Sequence, residues 1–174
     1  MTTRFGIGFD AHPLVAGARL VLAGVEVPFE RGLEGHSDGD VAAHAIIDAV
    51  LGAAALGDIG THFKADDPSV PKGVSSMTLL ERTAAIVRQR GWRVVNVDAT
   101  IVAQRPRLAE HITAMRNAVA AALGVAVGAV SVKATTEDGM GYTGSGQGIS
   151  AIAVASLTEH TPLNERTALN ERTE

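Results

Sequence analysis

The sequence predicts an α+β fold: a single domain whose mixed β-sheet carries helices packed on one face. Three observations lead there. The chain has 174 residues, enough for one hydrophobic core, and at 46% hydrophobic against 3% aromatic it must fill that core with Ala, Val, Leu and Ile. Short β-branched runs bounded by Gly or Pro are interspersed irregularly with Ala-rich helical runs, an order that gives strands of mixed direction. The last apolar run places Ile149, Ala151, Ala153 and Ala155 on one face and Ile152 and Val154 on the other, so both faces call for burial. A single helical layer covers one face, and other subunits are expected on the second.

The elements follow in order. Arg4 to Phe9 and Leu20 to Val27 read as strands, and a loop runs on to Gly39. Asp40 to Leu56 is a helix apolar almost all round, with Gly57 placed to end it. Residues 57–75 form a long functional loop. Ser75 or Ser76 caps a second helix to Arg90 that turns Leu79, Leu80, Ile86 and Val87 inward and ends at Gly91. Arg93 to Ala103 is a strand, Leu108 to Leu123 a helix stopped by Gly124, Val130 to Ala134 a short strand and Gly148 to Leu157 the last. The domain spans residues 1–158. Residues 159–174 are a polar tail in which Leu163-Asn-Glu-Arg-Thr recurs from Leu169, and no function is assigned to it.

Composition excludes several classes. Lys plus Arg is 15 against 19 Asp plus Glu, a net charge of -4 with no basic block, so nucleic acid is not an expected partner. Without Cys there is no disulfide, thiolate metal site or Cys nucleophile, which leaves metal chemistry to His and carboxylates. The longest apolar stretch contains His44 and Asp48, and the first residues lack a signal-peptide pattern, so a cytoplasmic protein without membrane contact is expected.

Chemistry gathers in four segments. On the helix from Asp40, the polar side chains Asp40, His44 and Asp48 are four apart and form one stripe, which faces a cleft or an ion. A core His bonded to Asp48 is the alternative. In Gly8-Phe-Asp10-Ala-His12-Pro13, a period of two puts Asp10 and His12 on one strand face, able to grip an ion together with His44. Two imidazoles and a carboxylate leave a tetrahedral position open, as catalytic zinc requires, although iron and manganese sites use the same donors. Gly35-His36-Ser37-Asp38-Gly39 precedes a helix N-terminus that favours an anion, and Ser37 or Asp38 also suits the helix cap. Asp58, in Gly57-Asp58-Ile59-Gly60, accepts from substrate hydroxyls or from turn amides. Lys133-Ala-Thr135-Thr136-Glu137-Asp138-Gly139 suits phosphate oxygens and a hard cation but lacks the Walker spacing. In Ala103-Gln104-Arg105-Pro106-Arg107-Leu108, two Arg flank a Pro at a helix entrance, and surface solvation is the alternative reading.

In their order and spacing, GFDAHP, HSDGDVAAHAIIDAVLGAAALGDIG, NVDATIVAQRPRL and KATTEDGMGYTG make the chain resemble the 2-C-methyl-D-erythritol 2,4-cyclodiphosphate synthases of the non-mevalonate isoprenoid pathway. The resemblance runs from Arg4 to about Thr158. It implies a homotrimer with active sites between subunits and zinc, or another divalent transition metal, on Asp10, His12 and His44. The implied substrate is 4-diphosphocytidyl-2-C-methyl-D-erythritol 2-phosphate, and the implied products are the cyclic diphosphate and CMP. Its methylerythritol phosphate would meet His36, Ser37, Asp58, Ile59, Gly60 and the loop from Phe63 to Asp67. Cytidine would lie against Ala103, Gln104, Arg105, Pro106, Arg107, Leu108 and Ala109, and Lys133, Thr135, Thr136 and Tyr142 would complete the substrate surface. Magnesium or manganese would bridge the diphosphate from Asp138, with Glu137 as its competitor. The attacking phosphate oxygen is already ionised, so no general base is expected and His36 and Thr136 stabilise the transition state.

Three departures from the family pattern stand out. Ala65 replaces a frequent carboxylate, Glu137 replaces a hydroxyl, and Gly144-Ser145-Gly146-Gln147-Gly148 lacks an Arg and a Glu. A metal-dependent phosphohydrolase and a non-enzymatic trimeric scaffold are the competing readings.

Overall fold

The computed structural model describes residues 2–159, so the repeated tail lies outside the described residues apart from Glu159. Strand β1 (Thr3–Ala16) pairs antiparallel with β7 (Gly148–Glu159), and its far end pairs with the short edge strand β4 (Arg31–Leu33). The other side of β7 takes β5 (Trp92–Val102) antiparallel, and β5 takes β6 (Val130–Thr135) in parallel. The order β4-β1-β7-β5-β6 is the expected mixed sheet. Helices α1 (Val41–Ala53), α3 (Ser76–Gln89) and α4 (Ile112–Leu123) pack on one face, and α2 (Ile59–His62) and α5 (Gly141–Gly144) are single turns. No helix among the described residues is long and apolar enough to cross a membrane.

Several local expectations are corrected. Leu20 to Val27 is a hairpin, β2 (Val21–Leu22) and β3 (Val25–Glu26), because Ala23 and Gly24 both take positive φ, at 48° and 78°, and turn the chain in two residues. The unbroken apolar run hid that turn. The first strand continues through the Asp10–His12 segment to Ala16, and part of the expected loop before Gly39 is β4. α1 stops at Ala53, short of Leu56, since Ala55 already has φ 58° and the Leu56 amide turns back to donate to the Leu51 carbonyl at 3.0 Å.

Two glycines set the distance between α1 and the sheet. A Cβ on Gly6 would lie 2.1 Å from the Ala49 carbonyl oxygen, and one on Gly8 would lie 2.0 Å from that of Ala45. Helix backbone therefore rests directly on strand backbone, which no side chain at either position permits. Period two continues this face into Asp10 and His12 and sends Phe5, Ile7 and Phe9 to the other, where they are 72%, 66% and 59% exposed. Ile152 and Val154 of β7 join them, while Ile149, Ala151, Ala153 and Ala155 are buried beneath the helices. Along β1 and β7 the second face of the sheet is thus apolar and open in the single chain.

Gly8→Ala is expected to force α1 off the strand and cost about 3 kcal/mol. Gly52→Ala, whose Cβ would meet nothing nearer than 4.0 Å, should instead stabilise α1 by roughly 0.5–1 kcal/mol. Urea denaturation of the metal-free proteins checks both, and equal stabilities would contradict the backbone-contact argument.

Candidate functional site

Asp10 and His12 follow the two glycines along β1, and His44 closes the first turn of α1, which lies on that same strand face. His12 Nε2 and His44 Nδ1 each lie 2.9 Å from Asp10 Oδ2 and 3.2 Å from one another. The outer ring nitrogens decide where the protons sit. His12 Nδ1 is 2.6 Å from the Glu34 carbonyl oxygen, which only accepts, so in the neutral ring Nδ1 carries the proton and Nε2 the lone pair. His44 Nε2 meets Ser37 Oγ at 2.8 Å and Ser76 Oγ at 3.1 Å, and a proton held there leaves a lone pair on Nδ1.

Three lone-pair atoms then face one point. They repel one another unless a cation stands between them, and two imidazole nitrogens with a carboxylate oxygen are a divalent transition-metal donor set. The residues fit such a metal. Where protons stand between these atoms in place of a cation, burial raises the Asp10 carboxyl, but hydrogen bonds and charge from His12 and His44 outweigh it and hold the group well below the usual carboxylate range. The Asp10 hydrogen bond in turn raises His12 against the effect of burial.

The expected polar stripe splits. Asp40 is fully buried and faces no cleft: it accepts from the amides of Ala23 at 2.7 Å, Gly24 at 2.6 Å and Ala43 at 3.0 Å, fastening the β2–β3 turn to the start of α1. Burial pushes its carboxyl up to about 6 against these three amides. Asp48 accepts from the Ile59 amide at 2.7 Å, not from His44. Both carboxylates are drawn to backbone N–H groups, which leaves His44 as the member of the stripe that faces Asp10 and His12.

Other loop residues are also tied to their own chain. His36 Nε2 donates to the Val70 carbonyl at 3.0 Å. Asp58 Oδ1 accepts from the Thr61 amide and hydroxyl, both at 2.8 Å, which hold this carboxyl low, so the turn amide is one of its partners. Ile59 and Gly60 open the short α2, Asp67 accepts from the Ser69 amide at 2.8 Å, and Phe63 is buried with the Arg82 guanidinium over its ring.

A separate cleft of about 380 Å³ is lined by Ala103, Gln104, Pro106, Arg107, Leu108 and Ala109 on one side and Ala134, Thr135 and Thr136 on the other. Arg105 lines a neighbouring hollow with Phe29. Gln104 Oε1 accepts from the Gly139 amide at 3.3 Å and so joins the two loops. The Glu137 carboxylate takes the hydroxyl of buried Thr143, whereas Asp138, among the described residues, accepts only from Thr136, at 3.0 Å, and stays exposed. Lys133 is paired with Asp98 on the open face of the sheet, away from the cleft wall. Tyr142 lies beside His12, Pro13 and Gln147. Sequence reasoning missed Ser76 and Glu34 around the triad. In the sequence Ser76 is no more than a candidate cap, and a backbone carbonyl carries no sequence signal.

A family model described as the YgbB family matches residues 3–158. The chain belongs to the YgbB family. A curated 2-C-methyl-D-erythritol 2,4-cyclodiphosphate synthase of Trichlorobacter lovleyi is 56% identical over 154 residues, which are 88% of this chain and 98% of that one. A solved structure of such a synthase in its CDP-bound form is 32% identical with a TM-score of 0.82, covering 89% of this chain and all of that one. The bifunctional IspDF of Campylobacter jejuni is 37% identical with a TM-score of 0.85, covering 91% of this chain and 42% of that one. The resemblance drawn from the motifs is borne out.

The raised His12 pKa has a sign in stability. Its contribution is full below the ordinary 6.5 and is lost as pH rises through the higher folded value. The stability gap between metal-free wild type and His12→Gln should therefore be widest between about pH 5 and 6.5 and narrow towards pH 9. Denaturant titration across that range checks it, and a gap that widens with pH would contradict the pairing.

Proposed function

We propose that this chain closes the cyclic diphosphate of 2-C-methyl-D-erythritol 2,4-cyclodiphosphate from 4-diphosphocytidyl-2-C-methyl-D-erythritol 2-phosphate, releasing CMP, as a metal-dependent homotrimer in isoprenoid precursor synthesis. The observation that carries this reading is the convergence of Asp10, His12 and His44 on one point, in a fold whose YgbB relatives are named for that reaction. Residues 1–158 are the catalytic domain, and zinc is the metal assigned to the triad. A divalent cation there supplies positive charge to diphosphate oxygens.

The chain's own residues do the positioning. The cleft of Ala103 to Ala109 is largely apolar, which suits a pyrimidine and ribose, and Thr135 and Thr136 border it as donors to phosphate oxygens. A CDP-bound relative supports that assignment. Asp138 is assigned to the second ion, magnesium or manganese, because Glu137 is occupied by Thr143. His36 and Ser37, ahead of α1, are assigned to the phosphate of the methylerythritol arm, with Asp58 to Gly60 and the Phe63–Asp67 loop beside them. Ring closure needs no general base on this account, since the attacking phosphate oxygen is ionised near neutral pH.

The triad and the nucleotide cleft are lined by different residues of one chain, and the sheet face carrying Phe5, Ile7, Phe9, Ile152 and Val154 is apolar and open. A trimer that buries this face and joins one subunit's triad to its neighbour's cleft accounts for both.

Mass spectrometry of the product made from the authentic substrate with zinc and magnesium tests the reaction. Cyclic diphosphate with stoichiometric CMP is expected, and orthophosphate would select a phosphohydrolase. Mixed trimers of inactive His12→Ala and Thr136→Ala chains should recover part of the activity, and mixed trimers that stay inactive would place the site within one subunit.

A further inference from the structure

Resting on the triad reading, we propose that Ser76 and Asp38 form an outer relay that fixes the His44 tautomer and so makes the triad a metal site. They are positioning residues. Ser76 is the first residue of α3 and is fully buried, behind the ring edge of His44 that faces away from Asp10.

The assignment comes from counting protons. Ser76 has one hydroxyl proton and three atoms in reach that could accept it, Asp38 Oδ1 at 2.5 Å, His44 Nε2 at 3.1 Å and Ser37 Oγ at 3.2 Å. The charged and nearer carboxylate takes it. Ser76 Oγ is thereby left as an acceptor towards its other two neighbours, Ser37 Oγ and His44 Nε2. A lone pair on His44 Nε2 would face the lone pair of Ser76 Oγ at 3.1 Å, so Nε2 keeps its proton and shares it between the two serine oxygens, and the Ser37 hydroxyl turns to Ser76. His44 Nδ1 then keeps its lone pair, turned towards Asp10 and His12. The Glu34 carbonyl does the same for His12.

Without Ser76 the order reverses. The Ser37 hydroxyl, 2.8 Å from His44 Nε2, would have that nitrogen as its acceptor, and donation there puts the ring proton on Nδ1, pointing at Asp10 Oδ2. A metal would have to displace it. Asp38 Oδ2 also accepts from the Ser76 amide at 3.0 Å, a bond that Ser76→Ala keeps, so the start of α3 stays capped from Asp38.

The test uses the full chain stripped of metal and titrated with cobalt(II), whose visible spectrum reports four-coordinate binding, against a competing chelator. His44→Ala should abolish tight binding. Ser76→Ala should weaken it about 10- to 100-fold, and Ser76→Thr, which restores the hydroxyl, should recover most of the loss. Ser37→Ala, which removes the nearest oxygen accepting from His44, should weaken binding as well and serves if Ser76→Ala fails to fold. Tight binding in wild type that His44→Ala abolishes and neither serine variant changes would overturn the relay and leave the triad standing. Binding that His44→Ala leaves unchanged would overturn the triad reading and the relay with it.

Discussion

The contact on which the rest depends is backbone against backbone, α1 on β1 at Gly6 and Gly8. Any side chain there would lift the helix and move His44 away from Asp10 and His12. The same period-two face that is empty at Gly6 and Gly8 bears the ligand residues two steps later, so one strand supplies both the close approach and the donors that use it. Its opposite face carries Phe5, Ile7 and Phe9, which the single chain leaves open. The candidate metal site and the proposed subunit contact are therefore two sides of one strand.

Carboxylates divide the remaining work. Asp40, Asp48 and Asp58 answer backbone amides at helix starts and turns, and in doing so set the ends of α1 and α2. Asp38 answers both the Ser76 amide and its hydroxyl. Asp10 is the carboxylate drawn to the two imidazoles, which hold it ionised. Glu137 is taken up by Thr143, and its neighbour Asp138 is left exposed on the loop beside the cleft of Ala103 to Ala109. In each case the partner nearby, not the residue type, decides whether the acid is structural or chemical.

That division sets what the sequence could reveal. Asp10 and His12 were legible because a strand's alternation is local, and His44 because a lone imidazole on an apolar helix needs a reason. The order of strands and helices was legible from punctuation by Gly and from apolar runs, and the family resemblance followed from whole motifs. The Ala23–Gly24 turn was hidden inside a continuous apolar run. Asp40 and Asp48 were drawn into the ion stripe because helical spacing shows which side chains share a face, not which amides lie opposite them. Ser76 is 32 residues from His44 in sequence, and only the packing of α3 beside α1 brings the two together.

We assign a metal site to two imidazoles and one carboxylate held by a glycine-permitted contact. Anomalous diffraction at the zinc absorption edge from crystals of the zinc-loaded protein tests it most directly. One strong peak per chain is expected about 2.0–2.2 Å from Asp10 Oδ2, His12 Nε2 and His44 Nδ1. A peak at Asp138 or elsewhere with the triad empty, or zinc held without His44, would contradict it.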